Sequence, residues 1–475
     1  MSRRAFALAA LACSLHAAGC GVNHHDIVAS TVIPTPSTAE TPNAQTTPDD
    51  SKAIKNVTVV VVDRQSSERV AGAIVSLGSH SATTDAHGIA SFAHLAHSRY
   101  AATVQAKGYD EQRATVRLRP SHRFAVVRVW RPGWSWPVYG GDPERTQSPA
   151  GISLAPPLHL VWGIHLDGLA EFPPVTAQGI GYVTTVKGTL TAFDTQTGDI
   201  VWRRPLDERM GASPGISDGR LFVVSFKGQI RAFDALTGRL LWQRALGAAS
   251  ESSPQVVGGR LLFGAADGRV RALDPATGKT IWITDVGSKV TMAVTVVNGL
   301  AIVGDYNGSV HALDLGTGKQ RWEAKVGGQL YAGIAAQDGR LFVASSTRKN
   351  LTALRASDGH ELWQADLHGF AFSGPAVAGN VVVNGSYDGH VRAFRATDGS
   401  LLWDVDMGDK VYGTPQIVRG VVWTASFAGH TDALALASGT RLQQFPHGRY
   451  AGVSGDAHTL LLLGFSRIWG MREKA

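Results

Sequence analysis

A chain of 475 residues with a formal charge of +7 and only 17% charged residues contains no basic run, which leaves nucleic-acid binding without support. Its hydrophobic fraction of 44% is enough for a large buried core. The two cysteines, Cys13 and Cys20, both precede the bulk of the chain, so no disulfide framework is available to it.

In chain order the first element is a targeting segment. Arg3 and Arg4 precede an apolar run from Ala5 to Leu15, too short to span a bilayer as a mature helix. The run ends in Ala17-Ala-Gly-Cys20, which resembles a bacterial lipoprotein signal. That resemblance implies a signal peptide over residues 1–19, cleavage before Cys20, and a diacylglycerol anchor on its sulfur. The competing expectation is an ordinary secretory signal that happens to contain a cysteine. Loss of Arg3 and Arg4 would leave +5 over 456 residues. Residues 20–54 then read as a linker, with Pro34, Pro36, Pro42 and Pro48 among threonines and serines and almost nothing to bury. Its reach would be about 30 Å. The expected location is extracytoplasmic, on a membrane of the cell envelope.

Residues 55–131 read as a small β unit. Val57–Val62, Ala73–Leu77, Ile89–Phe92, Tyr100–Ala106 and Ala114–Leu118 alternate as strands do, with turns at Thr84-Asp85 to Gly88 and at Gly108-Tyr109. The order of these residues resembles the carboxypeptidase regulatory-like, transthyretin-type sandwich, an accessory module without catalysis. His80, His87, His94 and His97 lack the spacing that aims several imidazoles at one metal, and read as exposed loop residues.

Residues 134–475 carry a repeat. Tryptophans stand at Trp162, Trp202, Trp242, Trp282, Trp322, Trp363 and Trp403, spaced by 40 residues with a single step of 41. Ahead of them the words Ala-x-Asp-x-x-Thr-Gly recur, with aspartates at Asp194, Asp234, Asp274 and Asp314 and glycines at Gly198, Gly238, Gly278 and Gly318. In later copies Arg355 and Arg395 replace the aspartate, and Gln443 stands where an eighth tryptophan would fall. A period of this length built from short strands is the mark of a propeller blade. Seven copies of one residue set argue for scaffold work: the aspartate accepts turn N–H groups, the glycine supplies positive φ, and the ring fills the gap between sheets. Seven four-strand units fit between Phe172 and Phe445. Residues Tyr450 to Trp469 supply three further strands, and Leu158–Trp162 is an orphan strand ahead of the first unit. Joining the two makes an eighth blade and removes the open edges of a linear array. The expected fold is all-β: an eight-bladed propeller closed by pairing of its two ends, preceded by a sandwich.

Trp136-Pro-Val-Tyr-Gly140-Gly-Asp-Pro-Glu-Arg145-Thr, followed by these repeats, resembles the pyrroloquinoline-quinone-type eight-bladed propellers. That superfamily includes quinoprotein alcohol dehydrogenases and the BamB lipoproteins of outer-membrane barrel assembly. Two functions follow as expectations. One is a non-catalytic, membrane-anchored scaffold that binds a protein or peptide partner. The other is a quinone-dependent dehydrogenase using PQQ and Ca²⁺.

The innermost strands align at Pro174, Pro214, Pro254, Val294, Ile334, Pro375, Pro415 and Val453. Three residues earlier, Glu171 and Glu251 are the inner-strand acids, too few for a calcium cage, so no catalytic, cofactor or metal residue is expected. The same position in the last four blades holds Tyr331, Phe372, Tyr412 and Tyr450. Hairpins on that face add Phe226, Tyr306, Tyr387 and Phe427. The expectation is an aromatic crescent suited to a partner, with packing between blades as the alternative. Strand direction places the sandwich on the opposite face, beside the Thr-Gly turns.

Overall fold

The computed structural model describes residues 54–474 except 64–67, 97–98, 122, 132–134, 150, 153 and 450–451. The expected signal peptide, Cys20, nearly all of the linker, His97 and Tyr450 lie outside the described residues. Every regular element described is a strand, and among the described residues no helix is long and apolar enough to cross a membrane.

Seven strands form the first unit: β1 (Ile54–Asp63), β2 (Ile74–Leu77), β3 (His80–Thr83), β4 (Ile89–Leu95), β5 (Arg99–Gln105), β6 (Gln112–Arg117) and β7 (Phe124–Val129). They make two sheets, ordered β4-β1-β7 and β3-β2-β5-β6. Alternate residues point inward, so Val57, Val59, Val61, Val75, Leu77, Phe92, Val104 and Val127 share one apolar core. Two strands escaped the sequence pattern. β3 is short, polar and exposed, and β7 pairs in parallel with the distant β1, so no hairpin marks it. His80, His87 and His94 are exposed, as expected, but only His87 lies in a turn; His80 and His94 stand on β3 and β4.

Seven four-stranded antiparallel sheets span residues 175–205, 215–245, 255–285, 295–325, 335–366, 376–406 and 416–445, numbered blades 1 to 7. The eighth joins the strands Val453–Gly455, Leu460–Leu463 and Arg467–Glu473 to β8 (Leu158–His165). That pairing runs from Arg467 opposite His165 to Glu473 opposite Leu158, and it closes the ring. Middle strands such as Arg220–Val224 are buried on both faces and therefore read as apolar runs. Around the axis the inner strands approach closely: a Cβ on Gly374 would stand 3.0 Å from the Gly333 carbonyl of the next blade.

The tryptophans tie each blade to the next. Trp202 Nε1 donates to the Ala235 carbonyl at 3.1 Å, and its ring covers Gly238, where a Cβ would stand 2.8 Å away. The other six repeat this, from Trp162 on Thr195 at 3.2 Å to Trp403 on Leu436 at 2.8 Å. The turn glycine thus has two duties, a φ of +67° and a bare face for the ring. Asp274 accepts the Ala276 and Thr277 N–H groups at 3.0 and 2.8 Å, and where Arg355 replaces the aspartate, Asp358 caps the turn instead. At the seam no such turn exists, because the last two strands of the eighth sheet come from opposite ends of the chain. Gln443 replaces the ring there: its amide accepts from Leu158 N at 2.8 Å and donates to Leu158 O at 2.7 Å.

The sandwich meets the propeller at the hairpin after the first strand of blade 1. Gln178 Nε2 donates to the Glu111 carbonyl at 2.8 Å, and the Trp130 ring lies on Gly179, where any Cβ would clash with it. Thr195 N bonds Gly179 O at 2.9 Å, so this is the face of the Thr-Gly turns.

Candidate functional site at the propeller mouth

On the opposite face the loops entering blades 5, 6 and 7 bring Tyr331, Phe372 and Tyr412 together, while hairpins of blades 4, 6 and 7 add Tyr306, Tyr387 and Phe427. Ring centroids run Tyr306–Tyr331 at 4.7 Å, Tyr331–Phe372 at 5.2 Å, Phe372–Tyr412 at 6.0 Å and Tyr412–Phe427 at 6.2 Å. Tyr387 bridges Phe372 and Tyr412 from above at 4.7 and 6.2 Å. All six rings are half-buried: they meet edge to face, tilted or stacked, and each keeps part of its surface open. In blade 2 the crescent position is Gly211, bare because the Phe226 ring occupies its side-chain space.

Facing the rings are the two carboxylates. Glu171 pairs with Arg209 at 3.7 Å, and Arg209 lies 4.5 Å over the Phe226 ring. Glu251 pairs with Lys289 at 3.0 Å, and Lys289 lies 4.8 Å over Tyr306. Burial pushes the Glu171 carboxyl above the ordinary carboxylate range; Arg209 offsets part of this and the charge of Glu251 adds to it. Burial pulls the Lys289 ammonium down, but its bond to Glu251 leaves it raised overall. The Thr291 hydroxyl is buried in the same wall. Rings and carboxylates enclose a cup of about 120 Å³.

The floor of the cup was not foreseen. The segment 136–147 winds through the propeller axis, and its carbonyls at Pro137, Pro143, Glu144, Thr146 and Gln147 accept from Ile216, Val296, Ala336, Val377 and Ile417 of five inner strands, at 2.8 to 2.9 Å. Trp136 exchanges both its backbone bonds with Thr176 of a sixth. Tyr139 lines the cup, its hydroxyl 2.8 Å from Thr414 Oγ1. Beneath it Arg145, 1% exposed, donates to the carbonyls of Val294 at 3.1 Å, Ser253 at 3.3 Å and Tyr139. Burial pulls its guanidinium down to about 10, so it stays cationic at neutral pH. The sequence signal was present in the paired glycines Gly140 and Gly141, whose φ angles are +91° and +85°, but nothing local names their partners.

These residues do not fit a quinone–calcium centre. The axis beneath the two carboxylates is filled by Tyr139 and Arg145, and no group of three or more His, Cys, Asp or Glu able to hold a metal occurs among the described residues.

The solved structures place the fold. BamB from Moraxella catarrhalis superposes with a TM-score of 0.58 at 20% identity, over 67% of this chain and 98% of that one. Quinohemoprotein alcohol dehydrogenase from Comamonas testosteroni gives 0.61 at 15% identity, over 72% and 81%. The computationally designed Ika8 protein gives 0.57 at 17% identity, over 65% and 98%. These identities speak to fold alone. No curated protein matches the chain. The family described as outer membrane protein assembly factor BamB matches residues 130–305 and 306–449, more than half of the sequence, and the chain belongs to that family.

Proposed function

We propose that this protein is a non-catalytic propeller, lipid-anchored in the cell envelope, whose aromatic mouth binds a protein or peptide partner. The observation that carries the reading is the unbroken run of six half-buried rings across blades 4 to 7. Rigid rings already held by one another lose little freedom when a partner covers them, and aromatic anchors dominate interface energies. Family membership supports a role in assembling outer-membrane proteins where the cell has two membranes. The sandwich, resembling carboxypeptidase regulatory-like modules, would act as a spacer between anchor and propeller.

The test is replacement of Tyr331, Phe372 and Tyr412 by serine, followed by crosslinking or pull-down from envelope fractions. Capture should fall at least about tenfold, while the fold survives because no ring is fully buried. Unchanged capture would overturn the proposal. So would stoichiometric binding of PQQ with Ca²⁺ coupled to dye reduction by an alcohol or sugar, which would establish the dehydrogenase instead.

A further inference from the structure

We propose that the cup takes a single arginine side chain of the partner polypeptide, its guanidinium held between the Glu171 and Glu251 carboxylates and the faces of Tyr331, Phe372 and Tyr412. This rests on the mouth being the partner-binding face and gives that partner a chemistry.

Three observations converge on a cation. First, the cup is blind. Tyr139 floors it and Arg145 fills the axis below, so a volume of about 120 Å³ admits a side-chain head group and not a passing chain. Second, the walls suit a cation. Carboxylates stand on one side and the aromatic rings of Tyr331, Phe372 and Tyr412 on the other. An anion entering there meets repulsion, and a neutral ligand leaves the carboxylates no better compensated than before. Third, the protein's own rim cations already adopt this arrangement. Lys289 lies 3.0 Å from Glu251 and 4.8 Å over Tyr306, Arg209 lies 3.7 Å from Glu171 and 4.5 Å over Phe226, and Lys410 lies 5.7 Å over Tyr387.

The compensation of Glu171 is incomplete. Its side chain is 24% exposed while its partner Arg209 is 54% exposed, and the ion pair is long at 3.7 Å. Burial accordingly pushes its carboxyl upward, against Arg209 and with Glu251. A second cation from the cup side supplies what Arg209 does not. Arginine is favoured over lysine because a planar guanidinium stacks on rings while its fork meets two carboxylates, whereas an ammonium is a compact, strongly hydrated point charge.

The experiment titrates the purified full chain with acetyl-Gly-Arg-Gly-amide, with the citrulline peptide of the same shape but no charge, and with the lysine peptide, by calorimetry or NMR. The arginine peptide should bind saturably, the citrulline peptide at least about tenfold more weakly, and the lysine peptide in between. The double variant Glu171→Gln with Glu251→Gln should lose at least about tenfold in arginine affinity. The melting temperature of the single variant Glu171→Gln should hold or rise, since a carboxylate held above its ordinary range opposes folding at neutral pH. Absence of saturable arginine binding, equal binding of arginine and citrulline, or a double variant that binds as before would each overturn the inference. The two proposals fail separately. If the carboxylate variant still captures the envelope partner while the serine ring variant does not, the charge inference falls and the binding face stands.

Discussion

Burying Arg145 against three backbone carbonyls, with no carboxylate in ion-pair contact among the described residues, places a charge that is costly to desolvate on the propeller axis. Removing it takes a donor from each of those carbonyls, of which Val294 O keeps the Gln255 amide at 2.8 Å, and opens a cavity. Arg145→Ala should therefore cost about 3–5 kcal/mol in chemical denaturation. Arg145→Met keeps most of the volume and carries no charge to desolvate, so it should cost clearly less. Equal losses would mean that packing, not the guanidinium, holds the axis. The turn carboxylates act at the surface. Arg321, then Thr317, hold the Asp314 carboxyl down to about 2, and Ser400 with Arg395 does the same for Asp398. Groups depressed in the folded state stabilise it above their ordinary value of 3.8, and that contribution disappears as pH falls through the folded value. Melting temperature should thus decline between pH of about 4 and about 2. The pair Asp314→Asn with Asp398→Asn should flatten the decline; an unchanged curve would count against these turns.

Among elements, β8 carries the sharpest test. Deleting residues 154–164 removes the fourth strand of the eighth sheet, the Gln443 bonds to Leu158 and the Trp162 ring together. It should lower stability by several kcal/mol, about what a buried tryptophan alone is worth, with aggregation through two exposed edges. Deleting residues 21–129 leaves every blade strand in place and should shift melting far less; two truncations that melt alike would contradict ring closure. This seam was legible in the sequence because the repeat is local. Each tryptophan, turn aspartate and glycine lies within one period, so a missing fourth strand at one end and a spare one at the other could be counted. The axial segment was not legible, since most of its bonds are main-chain and reach blades far away: the Gln147 carbonyl accepts from Ile417 N in blade 7. Its composition gave no periodicity to read.

For the molecule as a whole, the mouth and the junction with the sandwich lie on opposite faces. The cleft lined by Arg113, Gln178 and Thr237 belongs to one, and Tyr331, Phe372 and Tyr412 to the other. The ring positions were readable because inner strands share one register, while the cup they enclose depends on Tyr139 closing it from below. The proposed anchor rests on Cys20 alone. Cys20→Ser should accordingly release the protein from membranes or block its processing, as read by fractionation and by the mass of the mature N-terminus. Membrane retention with an unchanged mass would rule out the lipid anchor.

The seam also imposes an order in time. Ala155 N, just ahead of β8, bonds the Glu473 carboxylate 318 residues later, so the N-terminal strand emerges first and waits for the whole ring to be made. The axial segment emerges with it, carrying backbone carbonyls whose donors arrive one blade after another. Contacts this distant form slowly, and while they are missing the nascent chain shows a bare strand edge. A chain that ends early never shuts. It keeps both edges open to proteases and chaperones, so the closed ring is itself a certificate that synthesis has passed Glu473.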